Sequence, residues 1–389
     1  MNITIHPQKL RGTVQVIPSK SQAHRYLICA ALADNETELH CPETSRDMEA
    51  TADCLRALGA KIERTDTGYH ISPIQEVPKA AVLPCRDSGS TLRFLLPVVG
   101  ALGVDATFQM EGRLPHRPLS PLWEEMERMG CILSRPTPDT IRCQGKLKSG
   151  NYSIDGGVSS QFITGLMYAK DLIPGGAEVY ITGRLESGSY LTMTLQAQQL
   201  FGAPRYHSPG TVQVEGDWSN GAFWLAVNTL GNELDIQNLD PGSVQGDRAA
   251  ARFLRELREN TEIDARNNPD LVPVLAIVAA ANAGAVFRNI HRLRLKESDR
   301  VASTIAMIEA LGGKALEMGG HLVVHGTGLR GGTVDTCNDH RIAMSAAIAA
   351  TVCTEPVTIL GAECVEKSTF WARNVWKNPI PNSGPNTPG

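Results

Sequence analysis

No stretch of this 389-residue sequence reads Gly-x-x-x-x-Gly-Lys-Ser/Thr, so the backbone cradle used in nucleoside triphosphate hydrolysis is missing. Asp87-Ser-Gly-Ser-Thr91 is Gly-containing but is not the dinucleotide fingerprint, and there is no Gly-x-Ser-x-Gly elbow and no His-Glu-x-x-His. The nine cysteines are scattered without a Cys-x-x-Cys or a paired Cys/His spacing, which argues against a zinc site or a disulfide framework and for free thiols in a reducing compartment. Basic charge is not in excess: the formal net charge is −4, which argues against a general nucleic-acid binder. The most apolar window, Leu271–Ala285, is too short and too rich in alanine to span a bilayer. Met1-Asn-Ile-Thr-Ile-His6 passes directly into a strand-like pattern, with no signal or transit segment in view.

What is present is a repeated phrase. A helix ends at a glycine, a short strand follows, and a turn leads to a second strand. It is read at Leu55–Gly59, Met126–Gly130, Gln198–Gly202 and Ile308–Gly312, each glycine serving as a left-handed helix stop. The second strands are expected at His70–Ser72, Ile141–Gly145, Val212–Gly216 and His321–Gly326. A further copy at Arg252–Asp264 keeps the helix but lacks the glycine and most of the strand pair. The last copy, from His340 to about Trp376, has no closing pair, and the N-terminal segment Ile3–Ile17 is expected to supply it. The expectation is an α/β chain of six stacked units in two sets of three. The tail, 379–389, rich in Pro, Asn and Gly, is expected to be disordered.

The polar residues gather where helices begin. Pro18-Ser-Lys-Ser-Gln-Ala-His-Arg25 lies between a strand-like run, Gly12–Ile17, and an apolar-periodic run from Tyr26 to Ala33. Free N–H groups, hydroxyls and an ammonium meet there, which suits an anion. Other starts are Asp87–Thr91, Val158–Gln161, Asp217–Gly221, Asn268–Asp270 and Cys337–Arg341. Ser219 and Asn220 alone read as an ordinary helix start. Six such ends facing one way would make an anion-binding cleft. Arg113-Leu-Pro-His-Arg-Pro118 adds two cations on a stiff loop, and Arg292–Arg300 packs four cations with two carboxylates. Leu293 and Leu295 alternate like a strand before those charges, and a helix after them would set Lys296 and Arg300 one turn apart on one face.

Pro18–Arg25, Ser88-Gly-Ser-Thr-Leu-Arg93, Val158-Ser-Ser-Gln-Phe162, Leu295-Lys-Glu-Ser-Asp-Arg300 and Asn338-Asp-His-Arg341 together resemble the EPSP synthase (3-phosphoshikimate 1-carboxyvinyltransferase) family, in the family's order, to about Phe370. The sister family, UDP-N-acetylglucosamine enolpyruvyl transferase, has Lys-Asn at the place of Lys20-Ser21 and a loop cysteine, and Arg113–Pro118 contains none.

The resemblance implies two domains, each an inside-out α/β barrel of three βαβαββ units, with the active site in the cleft between them. The first would be 19–216, on the shikimate 3-phosphate side, and the second 1–18 plus 217–378. It implies a cytoplasmic, monomeric enzyme of the shikimate pathway. It needs no cofactor or metal and joins phosphoenolpyruvate to shikimate 3-phosphate. Ser21 and Arg25 would hold the shikimate carboxylate, Ser159, Ser160 and Ser187 its phosphate, and Gln161 and Tyr190 would lie beside the ring, Gln161 serving both substrates. Asp270 and Lys296 would face the ring hydroxyls. Lys20, Gly89, Arg117 and Lys367 would bind the phosphate of phosphoenolpyruvate, Lys20 also touching shikimate 3-phosphate, and Arg300 and Arg341 would bind the phosphoenolpyruvate carboxylate. Addition of a hydroxyl to a vinyl group needs a base and an acid. Asp270 is the expected base and Glu297 the expected acid, with Lys20 and Lys367 moving protons. A non-catalytic anion-binding protein on the same scaffold is the alternative of another class. The carboxylates Asp270 and Glu297 argue against it, because pure anion binding disfavours them.

Overall fold

The structure is a computed structural model. It describes residues 1–257, 259 and 261–368, the last two by backbone alone. The expected disordered tail and the side chain of Lys367 lie outside the described residues. The chain divides into two compact units. The inserted unit is Pro18–Glu215 with Val244–Gly246. The framing unit is Met1–Ile17, Gly216–Ser243 and the chain from Asp247 onward.

The chain opens with β1 (Asn2–Ile5) and β2 (Arg11–Gln15), both of the framing unit. The inserted unit then runs α1 (Lys20–Ala31), β3 (Thr37–His40), α2 (Arg46–Ala57), β4 (Lys61–Arg64), β5 (Gly68–Ser72), β6 (Ala80–Arg86), α3 (Gly89–Leu102), β7 (Asp105–Met110), α4 (Leu122–Arg128), β8 (Cys131–Ser134) and β9 (Thr140–Gly145). It ends with β10 (Gly150–Asp155), α5 (Ser160–Leu172), β11 (Ala177–Thr182), α6 (Gly188–Leu200) and β12 (Thr211–Gln213). Its strands form sheets ordered β12-β3-β5-β4, β6-β7-β9-β8 and β10-β11. In each, the first pair is parallel, β6–β7 and β10–β11 joined across a helix as a crossover requires and β12–β3 between strands far apart in sequence, and in the first two sheets hairpin-linked strands add antiparallel.

The framing unit resumes with α7 (Trp218–Thr229), β13 (Glu233–Gln237), α8 (Ala250–Glu256), β14 (Thr261–Asp264), α9 (Val272–Ala281), β15 (Gly284–Arg288), α10 (Arg300–Ala310), β16 (Lys314–Met318), β17 (His321–His325), β18 (Gly332–Asp335), α11 (His340–Ala349) and β19 (Val357–Leu360). Its sheets are β14-β15-β17-β16, β1-β19-β18 and β13-β2.

Two expectations from the repeat need correction. The third copy does not close with its own strand pair. Residues 203–210 turn without forming a strand, and β12 pairs with β3 in parallel instead of joining β11. Of the N-terminal segment, one strand joins the last copy as expected and the other does not. β1 pairs antiparallel with β19, whereas β2 pairs in parallel with β13. Strand partners are chosen by long-range packing, which a local phrase does not encode.

The glycine stops follow the phrase. Gly59, Gly130, Gly202 and Gly312 all have positive φ, from 66° to 111°, where a side chain would be strained. Each unit has its own apolar core. Two helices are apolar nearly all round, α3 and α9, and both are buried along their length, as such helices must be. Burying each Leu, Val or Phe of these cores contributes about 1.5–3 kcal/mol, which is what anchors the helix starts where polar side chains gather. All nine cysteines carry free thiols, and only Cys337 is exposed. Among the described residues, no helix is long and apolar enough to cross a membrane.

Candidate active site

In the inserted unit the site residues sit on the first turns of α1, α3, α5 and α6. Ser19 caps α1, its hydroxyl accepting from the Gln22 N–H at 3.4 Å and donating to Gln245 Oε1 at 3.1 Å. This cap sets Lys20 and Ser21 in the first turn, and Lys20 Nζ reaches Asp47 Oδ2 at 2.9 Å. One turn on, Arg25 is fully buried. Its guanidinium donates to the Ser21 carbonyl at 2.7 Å, the Tyr190 carbonyl at 2.9 Å and the Thr194 hydroxyl at 3.0 Å. The Phe94 and Tyr190 rings lie 5.1 and 5.9 Å from its central carbon. Among the described residues no carboxylate pairs with it, and burial pulls its pKa below the ordinary arginine value. A buried cation with neutral partners leaves a strong attraction for an incoming anion.

At α3, Ser88 caps by accepting from the Thr91 N–H at 3.3 Å. Gly89 follows, and a Cβ there would fall 2.7 Å from Arg117 Nη1 and 2.8 Å from Arg93 Nη1. Two guanidinium groups therefore crowd the positive end of this helix. Arg93 Nη1 donates to Gln161 Oε1 at 2.9 Å, and Gln161 Nε2 donates to the Ser90 hydroxyl at 2.9 Å. Gly89, Arg117 and Gln161 are thus brought together. Arg93 and Ser90, which lie in the Ser88–Arg93 motif without an expected role, join them. An arginine inside the apolar run of α3 was the available signal. Ser159 caps α5, accepting from the Gln161 N–H at 3.3 Å, and Ser160 is buried beside it. Ser187 precedes α6 in the left-handed region, φ 56°, also buried.

In the framing unit the centre is Arg300, the first residue of α10 and fully buried. It donates to Asp339 Oδ2 at 2.7 Å, Glu297 Oε2 at 2.7 Å and Asp270 Oδ1 at 2.5 Å. Lys296 Nζ lies 2.9 Å from the same Asp270 oxygen. Asp339 caps α11, accepting from the Arg341 N–H at 2.9 Å and from the Ser298 hydroxyl at 2.9 Å. Burial alone would raise the Asp270 carboxyl, but the Lys296, Arg300 and Arg341 charges overcome it and hold it well below the usual carboxylate range. Asp339 is lowered against its burial by Arg300. Burial lowers Lys296, with Asp270 opposing.

Three local expectations change here. Residues His291–Leu295 form a 3-10 turn, not a strand, and the Leu293 N–H bonds to the Ile290 carbonyl at 3.0 Å. Leu293 is buried while Leu295 is exposed, so their alternation did not place them on one face. Lys296 is extended and lies outside α10, so it does not share a helix face with Arg300, although both reach Asp270. Ser219 is more than a helix start. Asp217 makes the cap, accepting from the Asn220 N–H at 3.0 Å, which leaves Ser219 to receive Arg341 on its carbonyl at 3.0 Å and on its hydroxyl. Among the described residues, no His/Cys/Asp/Glu group has a metal-holding arrangement.

The chain as a whole is similar to known proteins. A 3-phosphoshikimate 1-carboxyvinyltransferase of Clostridium kluyveri is 37% identical over 408 residues, covering 95% of both chains. One of Clostridium acetobutylicum is 36% identical over 409 residues, covering 95% of this chain and 96% of that one. A solved EPSP synthase structure from Acinetobacter baumannii superposes with a TM-score of 0.76 over 94% of this chain and 95% of that one. At 21% identity, that likeness concerns the fold. The family model described as EPSP synthase (3-phosphoshikimate 1-carboxyvinyltransferase) matches residues 5–372, and the chain belongs to this family of enzymes.

Proposed function

We propose that the protein transfers the enolpyruvyl group of phosphoenolpyruvate to the 5-hydroxyl of shikimate 3-phosphate and releases phosphate. The observation that carries this reading is Asp270 held between Lys296 and Arg300, with Glu297 on the same guanidinium. A site that only bound anions would gain nothing from these carboxylates, whereas addition to a vinyl group needs groups that take and give protons.

Arg25 and Ser21 receive the shikimate carboxylate, for which a buried guanidinium with neutral partners is suited. Ser159, Ser160 and Ser187 hold its phosphate, with Gln161 and Tyr190 beside the ring. Gly89, Arg117, Lys20 and Lys367 take the phosphate of phosphoenolpyruvate, and Arg300 and Arg341 its carboxylate. The shikimate oxygen bonds to the substituted enol carbon as the methylene gains a proton. A methyl proton then leaves, and the carbon–oxygen bond to phosphate breaks. Asp270 takes the hydroxyl proton and Glu297 serves the methylene. With no substrate bound, three cations suppress the basicity of Asp270. A carboxylate that draws Arg300 and Arg341 onto itself weakens that suppression, so phosphoenolpyruvate switches on the base it needs. On the same reading, each three-sheet unit is an inside-out α/β barrel.

Phosphate release with phosphoenolpyruvate plus shikimate 3-phosphate, run beside UDP-N-acetylglucosamine, tests the proposal. Phosphoenolpyruvate carrying heavy oxygen at the bridge tests which bond breaks. Label in inorganic phosphate is expected. Label kept in pyruvate, with a phosphorylated acceptor, identifies a phosphotransferase and overturns the reading.

A further inference from the structure

We propose that Asp247 is a positioning residue of this site, holding Arg341 through Ser219 and the Asp270 turn through Asn268. It rests on the function proposed above. Asp247 lies in a 3-10 turn, Gly246–Ala249, and is 4% exposed. One of its oxygens accepts from the Ser219 hydroxyl at 2.5 Å and the other from Asn268 Nδ2 at 3.2 Å.

The direction of these bonds follows from the donors. Arg341 can only donate, so the Ser219 hydroxyl oxygen must accept from Nη2 at 2.5 Å. The Ser219 proton is then free to point at Asp247, which can only accept when ionised. The carboxylate therefore fixes the hydroxyl rotor and keeps its lone pair aimed at Arg341. Ser219 supplies both hydrogen-bond acceptors found for this guanidinium, its carbonyl and its hydroxyl. Among the described residues, Arg341 Nε is buried and has no hydrogen-bond partner. With Nη1 and Nη2 tied to Ser219, the Nε–H edge stays presented to a planar carboxylate.

On its other side, Asp247 receives Asn268, which leads into the turn Pro269–Leu271 and so sets where Asp270 stands. One carboxyl thus ties α7, the Asp270 turn and α11 to a common point. Burial raises the pKa of Asp247, and the charge of Asp270 adds to this, with Arg341 opposing.

The test is steady-state kinetics on the full-length protein with Ser219→Ala, Asp247→Asn and the double variant, and with shikimate 3-phosphate affinity measured separately by calorimetry. Each single change should raise KM for phosphoenolpyruvate about tenfold, and shikimate 3-phosphate affinity should stay within about twofold. The double variant should be no worse than the poorer single one, because both act through one chain of bonds. Ser219→Thr, which keeps the hydroxyl, should restore most of the loss. A wild-type KM in Ser219→Ala, or losses that multiply in the double variant, overturns the inference. An unmoved Ser219→Ala overturns the inference even if Asp247→Asn does not fold. Wild-type protein that consumes no phosphoenolpyruvate overturns the functional reading and this inference together. An active wild type with an unmoved Ser219→Ala overturns the inference alone.

Discussion

The two units hold their buried arginines by different means. Arg25 of the inserted unit rests on two carbonyls and a hydroxyl, with aromatic rings beside it. Arg300 of the framing unit faces Asp270, Glu297 and Asp339. Both are buried, yet among the described residues the first has no carboxylate partner and the second is surrounded by opposite charge. A cation kept without a counter-ion is poised to bind one. A cation wrapped in carboxylates tunes their proton affinity and locks the local fold. On the proposed function, Arg25 serves shikimate 3-phosphate capture alone, whereas Arg300 combines a hold on phosphoenolpyruvate with control of the carboxylates around it.

The sharpest way to break the comparison is to truncate both arginines. Arg300→Ala leaves buried carboxylates unpaired and should cost about 3–5 kcal/mol of stability, read by chemical denaturation. Arg25→Ala strands no carboxylate, so its stability loss should be clearly smaller. Equal losses would erase the distinction. Next in size, Asp270→Asn and Glu297→Gln should lower turnover about a hundredfold or more while shikimate 3-phosphate still binds. Near wild-type turnover would reduce both residues to partners of Arg300. Arg25→Ala should in turn weaken shikimate 3-phosphate binding by about 1.5–3 kcal/mol in calorimetry, the range for a charged hydrogen bond. An unchanged affinity would remove Arg25 from the capture site.

The smallest effect is in pH. Asp270 and Asp339 have folded pKa values below their unfolded ones. Their contribution to stability is present above the ordinary carboxylate pKa of about 3.9 and is lost as pH falls through the depressed folded values. Asp247, raised by burial, has the opposite sign and offsets part of that loss. Hydrogen exchange at falling pH should therefore lose protection around α10 and α11 before it does around α1 and α6. Simultaneous loss in both regions would argue that charge pairing is not what distinguishes the units.

The helix starts were legible because capping is local: Ser19, Ser88, Ser159, Asp217 and Asp339 each accept from an N–H two or three residues ahead. The glycine stops were legible for the same reason. What escaped depends on partners far along the chain. Nothing near Asp247 announces that it meets Ser219 and Asn268, and nothing near Thr211–Gln213 says that it will lie beside β3. The Leu293–Leu295 alternation misled because two residues are too few to separate a strand period from a 3-10 turn. Lys296 and Arg300 still converge on Asp270, but through tertiary packing and not along one helix.

The crossover of strands has a consequence for how the gene could be cut. Within the framing unit, the Asp217 N–H donates to the Ile17 carbonyl at 2.8 Å, and within the inserted unit the Ser19 N–H donates to the Glu215 carbonyl at 2.8 Å. At the crossings after Ile17 and after Glu215, the places where the polypeptide leaves and returns are therefore hydrogen-bonded neighbours within each unit. In engineering terms, Pro18–Glu215, the inserted unit without its short Val244–Gly246 piece, is a cassette with adjacent ends, and Ile17 can be spliced to Gly216 to rejoin what remains. The excision is not entirely clean, because Gln245, the acceptor of the Ser19 hydroxyl, stays behind on the other piece. A separately expressed cassette should bring its own sheets but begin with a loosened first cap, at the helix that carries Lys20, Ser21 and Arg25.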